Sequence, residues 1–101
     1  MINDVILFKK IEKDTYTLIE FQIQGDICTP DLLAAVKPPE VDATRGVVIS
    51  GRGPIWLFGW LIHHYHPTAW IATYDPRLGG GVVVASHMKD IQVGEVIIIN
   101  I

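Results

Sequence analysis

Three histidines, one aspartate and one arginine in the second half of the chain carry side chains suited to phosphate chemistry. His63 and His66 are three residues apart in an apolar, helix-like segment, so they share one face near its end. Asp75 and Arg77 follow a strand-like run, and His87 follows the next one. Imidazole and carboxylate groups can bind a metal ion or move a proton, whereas a guanidinium can hold a phosphate. These five residues are the candidates for catalysis or metal binding.

Each candidate also has an ordinary structural explanation. Histidines at the end of a helix, such as His63 and His66, interact favourably with its dipole. The Asp75–Gly79 stretch is good turn chemistry, because an aspartate can bond its own backbone. His87 could be a half-buried histidine with a hydrogen-bond partner, and His64 is expected to be a surface residue.

A second candidate site is the turn Ser50-Gly51-Arg52-Gly53, which precedes Pro54 at the predicted start of a helix. Ligands of open α/β sheets collect at the carboxyl ends of strands, where the next helix presents free N–H groups to an anion. Arg52 adds a charge that can grip phosphate bidentately. The pattern is neither a P-loop nor a dinucleotide fingerprint. The alternative is a plain tight turn with an exposed arginine.

The hydrophobic pattern predicts the elements that position these residues. Residues 15–24 follow a period-two pattern, which is typical of a strand with one buried face. The Lys9–Asp14 stretch is charged and predicts a hairpin loop. Thr29 as N-cap and Pro30 at N1 predict a short helix that ends at Pro38-Pro39. The remaining predicted elements are strands at 5–8, 46–49, 69–74, 82–85 and 95–101, and a helix from 54 to about 66.

The strand–turn–helix–strand order over residues 46–74 predicts a right-handed βαβ unit with a buried parallel pair. We therefore expect a single α/β domain over residues 1–101, a minimal Rossmann-like fold with an N-terminal antiparallel hairpin. The alternative is an α+β sandwich, because the first two strands look like such a hairpin.

Composition excludes several classes of protein. Half of the 101 residues are hydrophobic and only 19% are charged, which argues against disorder. The formal net charge of −3 argues against binding of duplex DNA. The single cysteine, Cys28, cannot form an internal disulfide, and no apolar run approaches the ~20 residues that span a bilayer. We expect a soluble cytoplasmic protein without a membrane partner, and its apolar character favours a homo-oligomer.

The ordered set of motifs resembles one family. It comprises GVVISGRGPIWL at 46–57, His63, Tyr65-His66, Thr68, Tyr74-Asp75-Pro76-Arg77-Leu78-Gly79 and Ser86-His87, within a region from about residue 15 to 99. Together these resemble the third family of CRISPR-associated ring nucleases, which are small proteins of type III CRISPR systems.

The resemblance implies a Rossmann-like fold related to other CRISPR nucleotide-sensing domains, and a homodimer whose dimers can sandwich the ligand as a tetramer. The implied activity is manganese-dependent cleavage of cyclic tetra-adenylate, which switches off the antiviral defence nucleases. The family has also been described as removing adenylates from the 3′ end of RNA. A non-catalytic cyclic-oligoadenylate sensor and a structural subunit are further alternatives.

The resemblance also implies a role for each matching residue. His66, Asp75 and Arg77 match the catalytic set, with Asp75 as manganese ligand or base, Arg77 on the phosphate and His66 as general acid or second ligand. His63, Asp75 and His87 are the implied Mn²⁺ ligands, and the turn Ser50–Gly53 matches the phosphate-holding turn. Residues 79–81 are three glycines, one more than the family pattern, which puts the reach of His87 in doubt. We expect His66 and Asp75 to meet between subunits.

Overall fold

The computed structural model describes residues 5–25 and 28–99. They form six strands: β1 (Ile6–Glu12), β2 (Tyr16–Ile23), β3 (Gly46–Gly51), β4 (Trp70–Asp75), β5 (Gly80–Ser86) and β6 (Val96–Ile98). A 3-10 helix (Pro30–Ala35) lies between β2 and β3, and the α-helix α1 (Ile55–His64) lies between β3 and β4.

One mixed sheet holds all six strands in sequential order. The central strands β2, β3 and β4 are parallel, whereas the β1–β2, β4–β5 and β5–β6 pairs are antiparallel. The prediction of a small mixed α/β fold is confirmed, and so is the N-terminal antiparallel hairpin. The helix α1 makes the crossover between the parallel neighbours β3 and β4, as the strand–turn–helix–strand pattern indicated.

Both faces of the central sheet are buried, but by different parts of the chain. On one face, Leu57 and Leu61 of α1 are fully buried and belong to the same apolar cluster as Ile49. Their spacing of four residues places them on one side of the helix. On the other face, Val48 belongs to a second cluster, which Ile99 joins after β6. We call these the helix face and the helix-free face.

Two predictions for the N-terminal half are wrong. β1 continues to Glu12, and Lys9 pairs with Glu20 instead of opening a hairpin loop. Edge strands commonly carry lysines, because exposed charges prevent pairing with other chains. β2 is buried on both faces along residues 16–19 and not on one, because Ile19 packs in the cluster on the helix face and Leu18 packs in the cluster on the helix-free face.

Several element bounds also differ from the prediction. The 3-10 helix ends at Ala35, before Pro38, and no side-chain cap bond forms at Thr29 because its hydroxyl bonds to the Asp31 carboxylate. α1 ends at His64, with Pro54 as its N-cap and not its first helical residue. The predicted last strand shortens to Val96–Ile98, and its final residues, 100–101, lie outside the described part of the chain.

The glycine run divides between a turn and a strand. Gly79 has a φ of +66°, which favours glycine, and it closes the turn after Arg77. Gly80 already belongs to β5, where a Cβ would lie 2.4 Å from the Ile97 carbonyl oxygen on β6. A close approach of two strands therefore explains why glycine occurs there.

No helix among residues 5–25 and 28–99 is long and apolar enough to cross a membrane.

Candidate functional site

The candidate residues lie at two opposite ends of the sheet. The turn at Arg52 follows β3, and Asp75 ends β4, so both lie at the carboxyl end of the parallel strands. In the antiparallel β4–β5 pair, Asp75 opposes Gly80 at this end and Trp70 opposes Ser86 at the other. The two ends are about 17 Å apart, because a strand rises about 3.3 Å per residue. His66 and His87 lie beyond the far end.

The turn after β3 is shaped by close packing on Phe21 of β2. A Cβ on Gly51 would lie 2.7 Å from the Phe21 carbonyl oxygen, and one on Gly53 would lie 2.8 Å from the Phe21 ring. Glycine is therefore required at both positions, and the backbone lies flat against β2. Arg52, between them, is exposed and makes no hydrogen bond to any other described residue. Its guanidinium is free to bind an anion.

Asp75 and Arg77 form one compact unit. The Arg77 backbone N–H donates to Asp75 Oδ1 at 2.9 Å, and its guanidinium contacts Oδ1 at 3.4 Å and Oδ2 at 3.2 Å. The Leu78 N–H donates to the Asp75 carbonyl at 3.1 Å and tightens the turn. The expected turn chemistry is therefore present. The Arg77 side chain remains 89% exposed, so it can still reach a ligand.

The electrostatics of this unit keep Asp75 ionised. Hydrogen bonds from the Arg77 side chain and backbone hold the pKa of the Asp75 carboxyl below its ordinary value of 3.8. The same contact raises the pKa of Arg77. The turn therefore presents a carboxylate and a guanidinium, both charged at neutral pH, beside Arg52.

His66 and His87 lie together at the opposite end of the sheet. Their rings are 5.1 Å apart, and His87 Nε2 lies 3.1 Å from the His66 carbonyl oxygen. The His87 backbone N–H donates to the Ala69 carbonyl at 2.9 Å, which holds the end of β5 against the start of β4. Both side chains are exposed. They form a pair of imidazoles at the surface.

The other two histidines differ in their contacts. His63 is exposed in the last turn of α1, and its carbonyl accepts the His66 N–H at 3.2 Å. His64 stacks on Trp60 with ring centres 5.5 Å apart and meets Tyr65 edge-on at 4.8 Å. His64 is exposed, as expected for a surface residue, and its ring packs against Trp60 and Tyr65.

The implied manganese ligands do not all meet within one chain. Residues 5–25 and 28–99 contain no group of three His, Cys, Asp or Glu side chains placed to hold a metal ion. Asp75 lies at one end of the sheet and His87 at the other. The donor types suit manganese, since it accepts carboxylate and imidazole ligands. A site using both would need a second copy of the chain.

A groove on the helix-free face is lined partly by Ser50 and Arg52 of the predicted turn and partly by residues that the sequence analysis did not assign to a site. The groove has a volume of about 710 Å³ and begins at the turn after β3. Its polar lining is Lys9, Glu20, Gln22, Ser50, Arg52 and Tyr74. In the sequence, the signal for this groove was the alternation along β2, which places Glu20 and Gln22 on one face. Their neighbours across the sheet were needed to identify the groove.

Comparison with known proteins assigns the chain to a family. The family described as "CRISPR-associated protein (Cas_csx3)" matches residues 20–98, which include both candidate ends of the sheet. The chain is also 53% identical over 93 residues to an uncharacterized protein of Aquifex aeolicus (strain VF5), covering 88% of this chain and 82% of the relative. The chain belongs to the Cas_csx3 family of CRISPR-associated proteins.

Proposed function

We propose that this protein is a manganese-dependent ring nuclease that cleaves cyclic tetra-adenylate and so switches off a type III CRISPR defence response. The observation that carries the proposal is the unit of Asp75 and Arg77 beside the Arg52 turn, in a chain of the Cas_csx3 family. The parallel β2–β3–β4 core with its candidate residues at the carboxyl end supports a Rossmann-like, ligand-binding relationship.

The phosphate-binding part of the proposal depends on arginine side chains that are available to a ligand. Arg52 lacks a partner among the described residues, and Arg77 is exposed although it contacts Asp75. β3 and β4 are neighbours, so the ends of these strands are about 5 Å apart. Two guanidinium groups at neighbouring strand ends suit the phosphates of a small cyclic RNA.

Each catalytic residue would have a separate task. Asp75 is ionised, so it can accept the proton of the attacking oxygen or hold the metal ion. Arg77 would stabilise the charge that develops on the phosphate. His66 would donate a proton to the leaving 5′-oxygen. Manganese, held by Asp75 and by imidazoles from His63 or His87, would add Lewis-acid stabilisation of that phosphate.

The separation of Asp75 from His66 has a consequence for assembly. One chain cannot apply both residues to one phosphodiester bond, because they lie at opposite ends of β4. We propose that a homodimer, or two dimers around the ligand, brings Asp75 of one copy to His66 of another. The exposure of His66 and Arg77 is compatible with such an arrangement.

The test is incubation of the protein with cyclic tetra-adenylate, with and without manganese, followed by mass spectrometry. We expect linear di-adenylate products only with manganese. A 2′,3′-cyclic phosphate product would indicate attack by the neighbouring 2′-hydroxyl, whereas a simple phosphate end would indicate attack by water.

Two other results would contradict ring cleavage. An intact ring that raises the melting temperature would indicate a sensor that binds without cutting. An intact ring with no shift, combined with shortening of RNA that ends in 3′-adenylates, would indicate an exonuclease. A linear RNA with a blocked 3′ end is the matched control, because an exonuclease needs the free end.

A further inference from the structure

We infer that the groove on the helix-free face recognises the adenine base, with Gln22 and Glu20 bonding its edge and Tyr74 stacking on its face. This inference rests on the proposed function, because it concerns the base attached to the bound phosphates. Nothing in the family match or in the Aquifex relative assigns a role to this groove.

The strand register brings the groove residues into one row. Lys9 on β1 opposes Glu20 on β2, and Glu20 pairs with Ser50 on β3. Tyr74 is one residue beyond Thr73, the partner of Ile49, so it continues the row on β4. Side chains that pair across a sheet point to the same face, and here that face is free of the helix.

The row forms a depression because the side chain at its centre, that of Ser50, is small. The strands β2 and β4 are about 10 Å apart, two strand spacings, with only the Ser50 side chain between Glu20 and Tyr74. This space accommodates a flat ring lying against Tyr74. The volume of about 710 Å³ is within the usual range for a small-molecule pocket.

The polar groups in the groove are not used within the chain. Glu20, Gln22, Ser50 and the Tyr74 hydroxyl make no side-chain hydrogen bond to any other residue in the described ranges. Glu20 forms no ion pair with Lys9, although the two are directly opposed. Convergent polar groups without partners, in a concave apolar setting, are typical of a ligand site.

The chemistry of these side chains selects adenine among the bases. A glutamine amide can accept from the adenine 6-amino group while donating to a ring nitrogen. Glu20 and Gln22 are two residues apart on one strand, so their Cα atoms are about 7 Å apart and both side chains can reach one base edge. The Glu20 carboxylate can accept the second proton of the 6-amino group. A tyrosine ring is a common stacking platform for bases.

The position of the groove joins it to the phosphate site. Arg52 lines the groove and also belongs to the turn after β3. A nucleotide could therefore place its phosphate at Arg52 and its base over Ser50. Pro76, beside Tyr74, connects the same groove to the Asp75–Arg77 unit.

The test compares two rings that differ only along the base edge that Gln22 and Glu20 would contact. Binding of cyclic tetra-adenylate and cyclic tetra-inosinate is measured by calorimetry without manganese, on wild type, Gln22→Leu and Gln24→Leu. Inosine replaces the 6-amino group with a carbonyl. Gln24 is exposed just beyond the end of β2, two residues from Gln22 and outside the groove, so it is the matched control. Glu20→Gln is the second variant.

We expect wild type and Gln24→Leu to prefer the adenine ring by about tenfold or more. Gln22→Leu should reduce this preference to about threefold or less, and Glu20→Gln should lower it as well. The inference would be overturned if wild type, Gln22→Leu and Glu20→Gln all preferred the adenine ring over the inosine ring to the same extent. The Gln22 side chain is exposed, so the melting temperature should not change.

The outcomes separate this inference from the proposed function. Preference for the adenine ring that depends on Gln22, without manganese-dependent products, would support the groove and contradict cleavage. Cleavage with unaltered discrimination in Gln22→Leu would support the nuclease and contradict the groove. A wild-type protein that binds neither ring would contradict both.

Discussion

At the residue scale, two aspartates are held by their own turns, but only one lies at the proposed site. Asp75 accepts from the Arg77 N–H at 2.9 Å, and Asp42 accepts from the Thr44 N–H at 2.9 Å. We predict that Asp75→Asn lowers ring cleavage by at least about 100-fold, because the base or metal ligand loses its charge. Asp42→Asn should leave cleavage unchanged. Both effects are measured by initial cleavage rates at saturating concentrations of cyclic tetra-adenylate, together with melting curves.

Loss of cleavage in Asp75→Asn must occur without unfolding. The Asp75 side chain is partly exposed and its partner Arg77 is 89% exposed, so this ion pair contributes little and the melting temperature should stay close to that of wild type. Equal loss of activity in the Asp42 and Asp75 variants would show that a damaged turn, and not the missing carboxylate, is responsible.

The titration of Asp75 provides a second prediction at the same scale. Hydrogen bonds from Arg77 lower the pKa of the folded carboxyl below 3.8. The stabilisation from this contact is therefore present above the unfolded pKa and is lost as the pH falls through the lower, folded pKa. Carbon NMR of the Asp75 carboxyl should give a midpoint below 3.8, and Arg77→Gln should move it upward.

The titration also constrains how the proposed cleavage depends on pH. Because the contact with Arg77 lowers the pKa of Asp75, a decline in cleavage between pH 5 and 7 must come from another group. An Asp75 midpoint at or above 3.8 in the NMR titration would contradict the arrangement of Asp75 and Arg77 described above.

At the element scale, Arg45 joins the first hairpin to the start of β3. Its guanidinium donates to the carbonyls of Asp14 at 3.2 Å, of Tyr16 at 2.9 Å and of Lys13. Its own carbonyl accepts the Ala69 N–H at 3.2 Å, so it also contacts the segment before β4. The Arg45 side chain thus holds the turn between β1 and β2 against the start of β3, and its backbone contacts the segment before β4.

We predict that Arg45→Met lowers the free energy of unfolding by about 2 kcal/mol or more, because carbonyls between β1 and β2 lose a charged donor. Arg45→Lys should recover little of this free energy, because one ammonium group cannot reach all the carbonyls that the planar guanidinium contacts. Lys10→Met is the control: Lys10 donates to the single Glu40 carbonyl at 3.0 Å and should cost about 0.5 kcal/mol or less. Urea unfolding measures all three; equal losses would contradict the role of Arg45.

The elements also show what the sequence could predict and what it could not. The β3–α1–β4 unit was predictable because its strands are apolar and Pro54 immediately precedes its helix. The extension of β1 was not, because Lys9 and Lys10 look like a loop until β2 is known to pair with them. Register between strands carries no local signal, so the groove over Ser50 and the contact of His66 with His87 required the structure.

At the scale of the whole molecule, the decisive feature is the length of β4 between the two sets of candidate residues. A site within one chain would need Asp75 and His66 together, but they lie at opposite ends of that strand. A symmetric dimer that places these ends against each other would contain two equivalent sites. Each site would take Asp75 from one copy and His66 from the other.

This arrangement predicts complementation between two inactive proteins. In a mixed dimer of His66→Ala and Asp75→Ala, one site has both residues intact and the other has neither. Random exchange at equal amounts makes half of the dimers mixed, so the mixture should recover about a quarter of wild-type cleavage. The two proteins are unfolded and refolded together, and cyclic tetra-adenylate cleavage is compared with each protein treated alone. The control is His66→Ala mixed with His87→Ala. Both substitutions lie at the same end of the sheet, so neither site of a mixed dimer is intact and cleavage should not recover. Full exchange of subunits without recovery would place Asp75 and His66 in separate sites, because a shared site must be restored in one mixed dimer.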